Sequence, residues 1–125
     1  MPPSPPIVKV CGITREADAA DLLAAGVRWL GINLYEPSPR SVSLARAQEL
    51  FASIPAGQRV LVDVAPDTRK LQACKAAGFD RFQIHFKLDE LPAGTLQAWT
   101  NCLGAENLWL APKLPPGTAF PTELL

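Results

Sequence analysis

Apolar residues fall along this chain in short dense runs, separated by longer stretches where they recur every three or four positions. The dense runs, at residues 7–10, 29–34, 60–64, 81–86 and 108–111, are rich in β-branched and aromatic side chains and read as strands. The stretches between them read as helices. Thr14 is the expected N-cap of a helix through Ala25, and Gly26 stops it. Ser43 caps a segment in which Leu44, Ala47, Leu50, Phe51 and Ile54 share one face, ending at Pro55 and Gly57. Asp67 opens a third helix carrying Leu71 and Cys74, closed by Gly78, and Thr95 begins a fourth with Leu96, Trp99 and Leu103, closed by Gly104. Residues 36–41 hold two prolines and form a stiff loop with Arg40 at its tip. A loop with four prolines is expected over 112–121, and residues 122–125 look like the start of a helix.

The runs differ in what they show to their two sides. Residues 29–34 are apolar on both faces except at Asn33, as a buried parallel strand should be. Residues 81–86 alternate strictly, with Phe82, Ile84 and Phe86 on one face and Arg81, Gln83 and His85 on the other. Residues 24–34 (AAGVRWLGINL) align without a gap on 76–86 (AAGFDRFQIHF), two strand-helix units later. Repeating units of this kind predict a parallel sheet with right-handed crossovers. The carboxyl ends of the strands then share one side. Cys11, Asn33, Arg40, Asp63, Gln83, His85 and Lys113 fall on that side or in its loops, where α/β folds carry their chemistry.

Composition narrows what that side could bind. The chain has 125 residues, enough for one domain with a real core. Twelve basic and twelve acidic residues cancel, leaving no net field to draw it onto nucleic acid or an anionic membrane. A small molecule is the expected partner. Cys11, Cys74 and Cys102 lie far apart without metal-ligand spacing, which argues against a disulfide framework or a zinc site and favours a reducing, cytoplasmic setting. Residues 1–6 are proline-rich and lack the basic and apolar regions of a signal peptide, so a disordered arm is expected there. No run approaches the length needed to span a membrane.

The strings KVCGIT at 9–14, SPRSVS at 38–43 and QIH at 83–85 resemble, in order and at compatible spacing, three signatures of the phosphoribosylanthranilate isomerases. The resemblance covers roughly residues 7–113. It implies part of a (βα)8 barrel and an Amadori rearrangement of N-(5-phosphoribosyl)anthranilate in tryptophan biosynthesis, without cofactor or metal. It implies that Cys11 is the general base, and that Arg40, Gln83 and His85 contact substrate, with Arg40 holding the anthranilate carboxylate. A cysteine after a β-run is otherwise most often a small buried hydrophobe, and His85 reads equally as a structural residue or a substrate contact.

The resemblance also sets an expectation of incompleteness. In the family the general acid is an aspartate on the sixth strand, and glycine-rich loops after the seventh and eighth hold the phosphate. Five strands are expected here, so residues 7–125 are read as the amino-terminal portion of a barrel, inactive when alone. Its open edge, with unpaired backbone groups, should invite association of copies. Phe86 stands where the family usually has a glycine, and Asp63 and Pro66 are unusual at the exit of the third strand. A non-catalytic remnant of the same family would share every motif. A receiver-like (βα)5 module, with Asp63 as phosphoacceptor, is a third reading, opposed by Val10 and Cys11 where a carboxylate pair would hold magnesium.

Overall fold

The computed structural model describes residues 4–119. Residues 1–3 of the proline-rich arm and the helix start expected at 122–125 lie outside them, while residues 4–8 are exposed and form no regular element. Strands β1 (Lys9–Val10), β2 (Trp29–Asn33), β3 (Arg59–Val64), β4 (Arg81–Lys87) and β5 (Leu108–Lys113) alternate with helices α1 (Glu16–Ala24), α2 (Leu44–Leu50), α3 (Thr68–Ala77) and α4 (Thr95–Leu103). All neighbouring strands are parallel and lie side by side in chain order, β1-β2-β3-β4-β5. That order is a curled portion of a (βα) barrel. A receiver-like module instead reverses direction after its first strands, in the order 2-1-3-4-5, so that alternative is set aside.

Alternation along the strands sorts their side chains. Leu30, Ile32, Leu61, Phe82 and Ile84 point to the helices and are at most 1% exposed, packed with Ala47, Leu50, Leu71, Trp99 and Leu103. Each such side chain contributes about 1.5–3 kcal/mol by leaving water, which makes the helix-facing side the core. The opposite, inner face carries Cys11, Gly31, Asn33, Val62, Gln83 and His85, and at its amino-terminal end Trp29 and Trp109. Those two rings meet edge to face at 5.2 Å, with the Arg28 and Arg81 guanidinium groups 4.1 and 5.1 Å from the Trp29 ring. They bridge from β2 to β5 across the intervening strands, which records how tightly the sheet curls.

Several boundaries differ from the sequence expectation. Thr14 is not the cap of α1. The chain is still turning there, with the Gly12 and Ile13 amides both donating to the Gly31 carbonyl at 3.0 and 3.1 Å, and Arg15 takes the cap position without a side-chain cap bond. Glu16 and Asp18 in the first turn supply the negative charge that the helix start favours. Thr95 begins α4 as expected, preceded by Gly94 in the left-handed region at the cap position. The helical spacing of 44–54 is split between α2 and a 3-10 turn, Phe51–Ser53. The expected loop at 112 begins later, because β5 runs on through Pro112 to Lys113. Among the described residues β5 is an edge strand, where a residue without an amide hydrogen is tolerated. Ser43 and Asp67 cap α2 and α3 as expected, accepting from the Arg46 and Lys70 amides at 3.1 and 2.8 Å.

Candidate active site at the carboxyl ends of the strands

Cys11 follows β1 directly and is exposed on the inner face. Lys9, two residues earlier and therefore on the same side of the strand, donates its ammonium hydrogen bond to the Cys11 sulfur. Room for that sulfur comes from Gly31 on β2. A Cβ at Gly31 would stand 2.9 Å from Cys11 Sγ and 3.2 Å from Val62 Cγ2. Gly12, at φ +82°, then turns the chain away. A Cβ at Gly12 would lie 2.8 Å from Arg40 Cδ, so the arginine side chain crosses directly over the turn that carries the cysteine.

The loop presenting Arg40 is held by its own hydrogen bonds. The Ser38 amide donates to the Tyr35 carbonyl, the Ser41 hydroxyl to the Glu36 carbonyl, and the Val42 amide to the Asn33 carbonyl, at 2.9, 3.2 and 2.9 Å. Arg40 itself is exposed, and its guanidinium has no hydrogen bond or ion pair among the described residues. A cleft of about 430 Å³ opens between these groups, with Cys11, Gly12 and Asn33 on one side, Ser38, Pro39 and Arg40 on another, and Val62 and His85 on the third. Three of the four predicted site residues, Cys11, Arg40 and His85, therefore share one cleft. Gln83 sits beneath it, its Nε2 3.2 Å from His85 Nε2, so it meets the cleft through the imidazole it positions. Asn33 Oδ1 is engaged by the Tyr35 amide at 2.7 Å.

Asp63, expected near the mouth, is placed otherwise. Asp63 is turned to the helices and 1% exposed, because alternation along β3 sends Val60, Val62 and Val64 inward and Leu61 and Asp63 outward. Its carboxylate pairs with Lys70 of α3 at 2.6 Å and accepts from the Val64 amide at 2.8 Å, so it is a structural ion pair and takes no part in the cleft. Phe86 is likewise buried, its ring 5.7 Å from that of Trp99, so the departure from glycine there alters the core side of β4. Lys113 ends β5, exposed and register-paired with Lys87.

The three cysteines are chemically distinct. All are free; Cys11 is exposed, Cys102 half-buried and Cys74 buried. Burial pushes the Cys74 thiol up to about 11, with nearby Asp63 adding to the rise and Lys70 opposing it. Sequence reasoning missed Lys9 and Gly31. Their signals were a lysine at i−2 on a short apolar strand and a lone glycine inside an otherwise bulky one, a mark of close approach by another group.

No family model matches the chain. Among curated proteins it is similar to the N-(5'-phosphoribosyl)anthranilate isomerase of Dechloromonas aromatica, 41% identical over 81 residues, which is 62% of this chain and 38% of that one. It is 48% identical to the corresponding protein of Bordetella avium over 81 residues, 62% of this chain and 36% of that one. Among solved structures, monomers generated from the dimeric phosphoribosylanthranilate isomerase of Thermotoga maritima match with a TM-score of 0.67 and 25% identity, over 85% of this chain and 51% of that one. A phosphoribosylanthranilate isomerase in complex with reduced 1-(o-carboxyphenylamino)-1-deoxyribulose 5-phosphate matches equally, at 0.67 and 25%, over 85% and 52%. The Thermus thermophilus protein, at a TM-score of 0.69 and 22% identity over 94% and 56%, agrees in fold. The match to the curated relatives spans less than half of their length, and that to the solved structures about half. In sequence and in fold this chain is similar to the phosphoribosylanthranilate isomerases over a part of their barrel.

Proposed function

We propose that this chain forms part of an enzyme that isomerises N-(5-phosphoribosyl)anthranilate to its 1-deoxyribulose phosphate product in tryptophan biosynthesis, with residues 7–125 as the amino-terminal portion of a (βα)8 barrel. The observation that carries this reading is the meeting in one cleft of Cys11, at the end of β1, and Arg40, in the loop after β2. Opening the furanosylamine ring gives a Schiff base, and removal of the proton from the carbon beside it gives the enolamine that tautomerises to the ketone. Cys11, as thiolate, takes that proton, with the Lys9 ammonium as its counter-charge. Arg40 holds the anthranilate carboxylate with its two-pronged donor face, and His85, steadied by Gln83, contacts the substrate. None of these steps calls on a metal or cofactor.

The ring oxygen also needs an acid, and no described carboxyl faces the cleft. Orientation and proton delivery together account for several kcal/mol of barrier. Residues 1–125 by themselves are therefore expected to bind without turning over. We place the protein in the cytoplasm, since its three free cysteines suit a reducing compartment. Among the described residues β1 and β5 are the outer strands of the sheet, and their open edges favour association of two copies. The test is to assay the purified 125-residue chain alone and with a separately expressed carboxyl-terminal half of a complete isomerase, sedimenting the same samples. Restored turnover that vanishes with Cys11→Ser supports the reading. Turnover by the isolated chain above its Cys11→Ser control, or no difference between Cys11 and Ser in the restored pair, overturns it.

A further inference from the structure

Strand β1 sets two reactive groups against each other. Lys9 and Cys11 are two residues apart, so the pleat turns both side chains to one side, and the Lys9 ammonium donates to the Cys11 sulfur. That sulfur is exposed and lines the cleft of about 430 Å³, where a small solute reaches it from water. A thiol beside a cationic group is of the kind most readily oxidised, because the thiolate is the form that attacks peroxide. The sulfenic acid so formed is consumed by a neighbouring thiol or a neighbouring nitrogen. No second thiol lines the cleft. Cys74 is buried in α3, and Cys102 is half-buried in α4 with its sulfur turned to the Thr68 carbonyl. The Gly12 amide, next in the chain, is engaged by the Gly31 carbonyl at 3.0 Å. The Arg40 guanidinium keeps its proton and is a poor nucleophile. His85 lies three strands away on β4, with its Nε2 beside Gln83. The Lys9 nitrogen, already against the sulfur, is the group that remains.

We propose that Cys11 and Lys9 are a modification site, closing into a sulfur-to-nitrogen cross-link when the chain meets hydrogen peroxide. The Cys11 thiolate attacks one peroxide oxygen. The S–O bond forms, the O–O bond breaks, and sulfur loses the two electrons that peroxide gains. The departing hydroxide takes a proton from the Lys9 ammonium and leaves as water. The freed amine then attacks the sulfenic sulfur, forming the S–N bond and expelling the hydroxyl, which carries off one amine proton as a second water. Thiolate, ammonium and one peroxide thus become a neutral sulfenamide and two waters. Two equivalents of a small thiol reverse the step, returning thiol and amine and leaving as a disulfide. The link shelters the sulfur from the irreversible sulfinic and sulfonic stages.

The cross-link rests on the geometry of β1, and only its consequence for turnover, the reversible loss of base and counter-charge together, rests on the proposed isomerase reading. The test is peptide mass mapping of the full 125-residue chain after hydrogen peroxide, before and after dithiothreitol, with dimedone in a parallel sample to trap sulfenic acid. The expected product is a peptide that holds both residues, is lighter by two hydrogens and is uncut by trypsin after Lys9. Dithiothreitol should restore its mass and its cleavage. Lys9→Arg keeps a positive charge beside the sulfur and removes the nucleophilic amine, so its Cys11 should stop at the acid that dimedone labels, without the loss of two hydrogens. Cys11 recovered unoxidised, as sulfinic acid, or in a disulfide between copies, with trypsin still cutting after Lys9, overturns the cross-link. So does a two-hydrogen loss that persists in Lys9→Arg. Turnover by the chain restored with a carboxyl-terminal half is measured separately. Its survival in fully cross-linked material counts against Cys11 as the base and leaves the cross-link standing.

Discussion

Cys11 and Arg40 touch the same cleft but are asked for different things, and removing each should leave a different kinetic trace. Within a complete barrel containing this segment, Cys11→Ser keeps the volume and loses the basic sulfur. We expect kcat to fall about 100-fold to 10,000-fold with KM nearly unchanged, because a proton acceptor acts in the transition state. Arg40→Ala removes a charge-assisted contact made before any chemistry, and should weaken binding of a product analogue by about 1.5–3 kcal/mol. Steady-state kinetics and analogue titration separate the two. The reverse pattern would exchange their roles. Lys9 and Gly31 belong to the same account, since one steadies the sulfur and the other makes its room.

At the scale of elements, the mouth of the sheet carries one backbone position that a side chain does not favour. Ala65, just past β3, has φ +39°, and its amide donates to the His85 carbonyl at 2.9 Å. Ala65→Gly relieves the left-handed penalty of about 1–2 kcal/mol and is expected to raise stability in urea unfolding by a fraction of that, since glycine also loosens the unfolded chain. Behind the same strand, Asp63→Asn leaves Lys70 half-exposed without its partner and should destabilise by up to about 3 kcal/mol, since Asp63 is buried. The strands, the caps at Ser43 and Asp67, and the convergence of Cys11, Arg40 and His85 were legible because period, turn chemistry and strand polarity all point one way. The side on which Asp63 lies was not. Its place depends on the phase of β3, and a run of alternating valine, leucine and valine is apolar on both faces. The pairing of Lys87 with Lys113 escaped for another reason. It is set by interstrand register, and Pro112 read as the start of a loop when it lies within an edge strand.

The whole molecule should be bounded in pH from both sides by groups far from the cleft. Arg46 of α2 holds the Glu16 carboxyl of α1 below its ordinary value by hydrogen bonding, with backbone hydrogen bonding adding to it. A lowered acid stabilises above its unfolded-state value, so this tie between the first two helices is lost as pH falls through the folded-state value. Cys74 works in the opposite sense. Its thiol is pushed up to about 11 by burial, so the folded chain holds that proton more tightly than the unfolded one. The resulting stability is full below about 9 and is lost as pH rises from there through about 11. Urea midpoints followed across pH should fall at both ends, and Cys74→Ala should flatten the alkaline arm while leaving the acid arm in place.

The two indoles that bridge β2 and β5 also make the molecule its own optical gauge. Trp29 and Trp109 stand nearly perpendicular at 5.2 Å, close enough for their transitions to couple, and a guanidinium lies over one of them. Trp99 is sealed in the core with its ring nitrogen bound to the Pro66 carbonyl at 2.9 Å, a constant background. Near-ultraviolet circular dichroism should therefore report the curl of the sheet separately from its folding. Any strand that docks against the open edge and changes that curl will be visible as a change in the coupled band, with no label attached.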